Sequence, residues 1–165
     1  MSVRWSTEDA SVSLSFDVPG ASRIELTDLV IDVNGTLTNR GELIAGVEPR
    51  LRRLGALCAI HLVSADTFGT LDRLASALHV TASRVSTGEE KRAYVARCGA
   101  AGCGVIGNGL NDAAALGAAA LGVVVLGPEG ASPRSLLAAD LLCGSITDAF
   151  DLLLDPRALA ATLRP

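Results

Sequence analysis

The run Leu29, Val30, Ile31 leads straight into Asp32 and then into Val33, Asn34, Gly35 and Thr36. A buried strand that ends in an acid uses hydrophobic free energy to hold a charge at a sheet edge, which an ordinary connection does not require. The alternative is a turn residue, because Asp before Gly-Thr is also common turn chemistry. A second apolar run ends in a hydroxyl, at His61, Leu62, Val63 and Ser64. A third, Val105 and Ile106, enters the loop Gly107, Asn108, Gly109, Leu110, Asn111 and Asp112. Between these two stands Lys91, and among the 14 Lys and Arg residues it alone is lysine. Such a bias looks like base-composition drift toward Arg, so the surviving lysine marks a place that Arg would not serve. A compact ammonium fits between two anionic oxygens, whereas the planar guanidinium is larger and prefers a fork geometry. The alternative is a solvated lysine on a helix over 89–97.

In this order the four segments resemble the motifs of the haloacid dehalogenase-like phosphohydrolases. Their first motif reads DxDGT, and Asp32 to Thr36 is also similar to the DKTGTLT phosphorylation site of P-type ATPases. Gly107 to Asp112 looks like the fourth motif, GDGxND, with Asp112 on its last acid. The resemblance implies that Asp32 is a nucleophile forming an aspartyl-phosphate, with Asn34, Ser64 and Lys91 completing the catalytic set. It implies substrate contacts from Gly35, Thr36, Ser64, Ala65, Lys91 and Asn111. It also implies a Mg²⁺ ion held by Asp32, Asn34 through its backbone carbonyl, Asn108 and Asp112, since hard oxygen ligands suit that ion. Asn111 could tie the fourth-motif loop to Lys91 or to phosphate, or could cap the following helix.

Two positions depart from the family pattern. Phosphatases of the family usually carry a second Asp where this chain has Asn34, and Asn cannot shuttle a proton. P-type ATPases carry Thr there and hold their aspartyl-phosphate longer, so Asn34 suggests a slow second step. Asn108 stands where the fourth motif usually begins its acid pair, which removes a negative charge from the metal shell. The resemblance is closest to small soluble P-type-ATPase-like phosphatases. The expected function is therefore a slow, Mg²⁺-dependent phosphoric monoester hydrolase acting on a phosphorylated small molecule or an exposed phosphate group. The alternative is a non-catalytic descendant that keeps the pocket as a metal or phosphate sensor, or as a partner-binding protein.

With 165 residues and 49% hydrophobic composition, the chain has enough apolar material for one core, and with 3% aromatics that core rests on Ala, Val, Leu and Ile. The formal charge of −4 and the absence of a basic block beyond Arg50, Arg52 and Arg53 disfavour a nucleic-acid partner. Cys58, Cys98, Cys103 and Cys143 form no CxxC pair, which fits buried free thiols in a reducing cytoplasm. His61 and His79 have no Cys, Asp or His at ligand spacing along the sequence and read as structural. No signal peptide is expected, because Arg4, Glu8 and Asp9 interrupt the first residues. The longest apolar stretch, 113–127, is broken by Gly117 and Gly122 and falls short of the roughly 20 residues of a membrane span. The Walker phosphate-cradling pattern is absent.

The elements that must position these residues follow from periodicity. A polar tail at 1–10 precedes one domain over 11–165, which opens with an antiparallel hairpin at 12–16 and 23–26 turned by Pro19 and Gly20. Strands at 29–33, 59–63, 83–85, 104–106, 121–126 and 140–143 alternate with helices at 48–57, 69–78, 89–98 and 111–119, from 132 and from 147. That alternation predicts a three-layer, Rossmann-like α/β fold with a parallel sheet covered on both faces. Ligands of such sheets bind at the carboxyl ends of the strands, where Asp32, Ser64 and the Gly107 loop fall. The stretches between the first and second motifs and between the second and third are too short for an inserted cap, leaving only a small flap around 39–41. The capless members that this resembles imply a homo-oligomer. The loop 127–133 reads as a turn with Ser132 as N-cap and Pro133 at the first helical position, or as a substrate-facing loop.

Overall fold

The computed structural model describes residues 13–165, so the expected tail lies outside the described residues. In chain order the elements are β1 (Leu14–Phe16), β2 (Ile24–Leu26), β3 (Asp28–Asp32), β4 (Thr38–Asn39), β5 (Glu42–Leu43), α1 (Val47–Gly55), β6 (Ala59–Ser64), α2 (Leu71–Leu78), β7 (Thr81–Arg84) and α3 (Gly88–Cys98). There follow β8 (Cys103–Gly107), α4 (Ala113–Ala118), β9 (Leu121–Val125), α5 (Pro133–Ala138), β10 (Leu141–Cys143), α6 (Ile146–Leu153) and α7 (Pro156–Thr162). Six strands form one parallel sheet in the order β10, β9, β8, β3, β6, β7. β3, the first of these six in sequence, therefore lies near the middle, with neighbours reached by crossovers on either side.

Side chains alternate across a strand, so β3 sends Leu29 and Ile31 to one face and Val30 to the other. On the first face they meet Leu62, Ile106, Leu54 of α1, Leu74 of α2 and Phe150 of α6. On the second, Val30 joins Val63, Val105 and Val124 against Tyr94 and Val95 of α3 and Ala115 and Leu116 of α4. These two cores make the expected three layers. The hairpin β1–β2 pairs Leu14 with Leu26 and Phe16 with Ile24, and its buried Phe16 and Leu26 extend the first core toward Leu159 of α7.

The expected flap is an antiparallel hairpin, with Asn39 opposite Glu42. Its two loop residues, Arg40 at φ 50° and Gly41 at φ 87°, both lie in the left-handed region, the conformation that matches strand twist in a two-residue hairpin. No inserted domain stands in 33–63 or 65–90. The single helix expected from 147 is two. Pro156 lacks an amide hydrogen and occupies the first turn of α7, while the Asp155 side chain accepts from the amides of Arg157 and Ala158 at 3.2 and 3.1 Å. The expected helix 111–119 likewise begins as a 3₁₀ turn, Leu110–Asp112, before α4.

Candidate active site

The turn after β3 is closed by the Val33 carbonyl, which accepts from the amides of Leu37 and Thr38 at 3.0 Å and from the Thr38 hydroxyl at 3.1 Å. Gly35, at φ 76°, makes the bend, and a Cβ there would come within 2.6 Å of Asn108 Nδ2. This turn leaves Asp32 pointing off the carboxyl end of β3, 7% exposed.

Lys91 reaches Asp32 from α3. Thr87 caps that helix in a capping box with Glu90, and Gly88 packs so closely that a Cβ would lie 2.9 Å from the Asn111 carbonyl oxygen. Lys91 is 1% exposed, and its Nζ donates to Asp32 Oδ1 and to Asp112 Oδ1, each at 2.5 Å. Asp112 is fixed in turn by its other oxygen, which accepts from the amides of Asn108 and Gly109 at 2.9 and 2.8 Å. Two buried carboxylates thus share one ammonium, leaving one negative charge in excess. Burial first, and then the charge of Asp112, push the Asp32 carboxyl up to about 7, against the pull of Lys91 and of the Thr36 hydrogen bond. Burial works to lower the Lys91 ammonium, but the charges of Asp32 and Asp112 outweigh it and hold it above its ordinary value.

Ser64 Oγ accepts from Asn34 Nδ2 at 3.3 Å and from the Asp66 amide at 2.9 Å. Both bonds use the oxygen as acceptor, so the hydroxyl hydrogen is left to donate. Asn34 Oδ1 is buried without a partner among the described residues, where most buried acceptors are paired. The Thr36 hydroxyl lies 3.2 Å from both Asp32 Oδ2 and Asn108 Oδ1 and is fully buried; its side chain orients Asp32. The Asn108 amide joins that hydroxyl to the Gly130 carbonyl, 2.8 Å away, and the Asn108 carbonyl accepts from Ser132 N at 2.8 Å.

The 127–133 loop follows the turn expectation, with Ser132 at the N-cap position, though without a side-chain cap bond, and Pro133 in the first turn. The loop also braces the site. A Cβ on Gly127 would lie 2.4 Å from the Gly35 carbonyl oxygen, and Glu129 accepts from the Arg40 amide of the hairpin at 2.9 Å. A cleft of about 410 Å³, bordered by Asn39, Ile44 and Pro128, opens between this loop and the hairpin.

Asn111 makes no tie to Lys91, whose bonds go to the two carboxylates; it sits within the 3₁₀ turn Leu110–Asp112. One contributor was not singled out from the sequence. Asp66, at φ 57°, accepts from the Thr70 and Leu71 amides at the start of α2 while its own amide holds Ser64. The Leu71 amide, and then Arg84, hold its carboxyl below the ordinary value. An Asp a few residues ahead of an amphipathic run was the available signal.

Asp32, Asp112, Asn34 and Asn108 offer oxygen donors alone, which suits a hard divalent cation such as Mg²⁺. The excess negative charge and the raised Asp32 fit the same requirement, because a bound cation supplies the missing countercharge.

Sheet order, crossovers and this cluster at the strand ends define the class: the chain has the haloacid dehalogenase-like fold. Its structural neighbours are individually distant in sequence. The cobalt-bound deoxy-D-mannose-octulosonate 8-phosphate phosphatase of Haemophilus influenzae superposes with a TM-score of 0.65 at 15% identity, over 85% of this chain and 94% of that one. The 3-deoxy-D-manno-octulosonate 8-phosphate phosphatase of Moraxella catarrhalis, in complex with magnesium, phosphate and the sugar acid, gives 0.60 at 19% identity, over 84% and 94%. A zinc-transporting PIB-type ATPase in its E2.Pi state gives 0.61 at 22% identity, over 73% of this chain and 20% of that one. No sequence-family profile matches this chain, and no curated protein sequence matches it.

Proposed function

We propose that this protein is a Mg²⁺-dependent phosphoric monoester hydrolase that works through an aspartyl-phosphate on Asp32 and turns over slowly. The observation that carries the reading is Lys91 bridging two buried carboxylates at the carboxyl ends of β3 and β8. An acid nucleophile, a fixed ammonium and a second acid at one sheet edge are what phosphoryl transfer requires. When bound, Mg²⁺ would be held by Asp32, the Asn34 carbonyl, Asn108 and Asp112, and would neutralise charge on the transferring group.

An Asp32 carboxylate oxygen attacks phosphorus in line as the bond to the leaving oxygen breaks, and the leaving group departs with that bond's electron pair. Ser64 donates its free hydroxyl hydrogen to a phosphoryl oxygen, and the remaining Lys91 N–H faces another. Asn34 can position the leaving oxygen or a water but cannot transfer a proton, so the leaving group and the later water exchange protons with solvent. Hydrolysis of the acyl phosphate is accordingly the slow step. A phosphorylated small molecule fits a site with no inserted domain above it, and sugar-acid phosphates belong in the substrate panel because two structural neighbours are named for them. Self-association belongs to the reading too: Leu126, Leu137 and Leu142 are 47, 88 and 54% exposed around β9, α5 and the edge strand β10, and assembly would cover them. Four free cysteines favour a reducing compartment, and among the described residues no helix is long and apolar enough to cross a membrane.

The second reading, a phosphate or metal sensor, is favoured by Asn34 and Asn108 standing where acids are usual. Beryllium fluoride with Mg²⁺ is expected to add one adduct at Asp32, and an aryl phosphate is expected to be hydrolysed only with Mg²⁺. Adduct without turnover selects the sensor. Absence of both, with no Mg²⁺ binding by calorimetry, removes the phosphoryl reading altogether.

A further inference from the structure

At the pole of the sheet opposite Asp32, three residues of different ligand chemistry meet. Asp28 opens β3, His61 lies on β6, and Cys98 ends α3; one ligand atom from each lies within 4.8 Å of the others. The sequence separates them widely, so His61 reads as a lone structural histidine until β3 and β6 pair with Asp28 opposite Ala59 and Val30 opposite His61, which leaves Asp28 and His61 as diagonal neighbours within hydrogen-bond reach. We propose that this cluster is a second metal site, selective for Zn²⁺ or a similar borderline ion, separate from the oxygen-only site around Asp32.

The donor set sets the ion. Imidazole, thiolate and one carboxylate favour Zn²⁺ over Mg²⁺, and three protein ligands with a water complete its usual four positions. The surrounding bonds already orient two of the ligands. Thr27 Oγ1 donates to Asp28 Oδ2 at 2.7 Å, which turns Oδ1 toward His61 Nε2, 2.8 Å away. His61 Nδ1 lies 3.0 Å from the Tyr94 hydroxyl, the outer partner that a metal-ligating histidine generally has. The side chains of His61 and Asp28 are 13 and 20% exposed, so an ion can enter from solvent.

The proton balance is simple. With a neutral imidazole and no metal bound, Asp28 is the acceptor, so Nε2 carries the hydrogen and Nδ1 accepts from Tyr94. On binding, Nε2 becomes a ligand, the imidazole hydrogen moves to Nδ1, and Tyr94 Oη accepts it. Cys98 binds as thiolate, and its proton is the one released per ion. Burial, and then the Asp28 charge, hold the Cys98 thiol above its ordinary value, so the ion must displace that proton, while Arg97, over the Tyr94 ring at 5.1 Å from its centroid, favours the thiolate. Tyr94 and Cys98 lie on the same face of α3 as Lys91, so the ion would tie the far end of that helix to β3 and β6.

The test uses the full chain freed of metal by chelation. One equivalent of Co²⁺ is expected to give a near-ultraviolet thiolate-to-cobalt band with the strong visible absorption of a four-coordinate ion. The band should persist in Asp112→Asn and vanish in Cys98→Ser. Competition against a chromophoric chelator should show one Zn²⁺ bound, with affinity falling about tenfold or more in Tyr94→Phe, which removes only the outer partner. Should a variant unfold, the wild type still decides, because bound Zn²⁺ must protect Cys98 from alkylation read by peptide mass. A missing thiolate band, a band that survives Cys98→Ser, or unprotected Cys98 at saturating Zn²⁺ overturns the proposal and leaves Asp28, His61 and Tyr94 as a hydrogen-bonded strut. None of these readouts depends on phosphatase activity.

Discussion

Lys91 commits two of its three N–H groups to Asp32 and Asp112, and in the proposed reaction the third would serve a substrate oxygen. Replacing it by Arg preserves the charge but puts a planar fork where a point charge sits, with both carboxylates fixed. Lys91→Arg is therefore expected to lose about 10²-fold or more in phosphoryl transfer while remaining folded, close to the loss in Lys91→Ala. The Ala variant should also lose about 3–5 kcal/mol in denaturant melts at neutral pH, because two buried carboxylates are left facing each other. Wild-type rates in the Arg variant would return Lys91 to a purely structural role. At Asn34 the expectation runs upward. Its Nδ2 holds Ser64 and its Oδ1 has no partner among the described residues, so in the proposed reaction Asn34→Asp would put a carboxyl within the site to assist the leaving oxygen. General acid-base assistance is worth about 10²- to 10⁴-fold when well placed, so even a poorly aimed carboxyl should raise kcat for an aryl phosphate about tenfold, with a new acidic limb in the pH profile. The added anion repels phosphate, an effect that Lys91 and the bound cation offset. An unchanged rate would place the slow step elsewhere.

The end of β8 shows how an element, rather than a side chain, sets the site. A Cβ on Gly107 would fall 2.4 Å from Asp112 Cγ, so Gly107→Ala must push Asp112 off the Asn108 and Gly109 amides. The expected result is a Mg²⁺ affinity at least about tenfold weaker by calorimetry, together with roughly 1–3 kcal/mol of lost stability from overpacking. A variant that binds Mg²⁺ normally would mean that Asp112 has freedom the structure denies it. Gly107 was legible as part of a glycine loop, but its reason was not, since the close approach arises from the 3₁₀ turn that follows. The strands were legible because parallel strands buried on both faces are continuous apolar runs, as at Leu29, Val30 and Ile31. The break at Asp155 and Pro156 was written in the sequence as an N-cap and a helix-starting proline, yet apolar periodicity on both sides concealed it. The bond from Asn108 to Gly130, and the meeting of Asp28, His61 and Cys98, follow from tertiary packing of strands, loops and α3, and neither has a local signature.

For the whole molecule, the site is a source of instability that pH exposes. Folding lifts the Asp32 carboxyl from 3.8 to about 7, so between these values the native protein keeps a proton that the unfolded chain has released. The contribution of Asp32 to stability is therefore complete below about pH 4 and is lost as pH rises through about 7; it amounts to at most about 4 kcal/mol. Asp66 and Asp151 are held below their ordinary values and act in the opposite direction, so the pH curve of the wild type alone mixes the two. The comparison that isolates Asp32 is with Asp32→Asn, which keeps those acids and leaves Lys91 paired with Asp112. In metal-free buffer the variant should be more stable than wild type at pH 8 by a few kcal/mol, with the gap closing as pH falls toward 4. Saturating Mg²⁺ should narrow the gap at pH 8 from the other side, because the wild type binds the cation more tightly and ligand binding stabilises the native state by mass action. Parallel stability curves for the two proteins from pH 4 to 8 would show that Asp32 ionises as freely in the folded chain as in the unfolded one, and the bridged pair of carboxylates would then be no strained, reactive site.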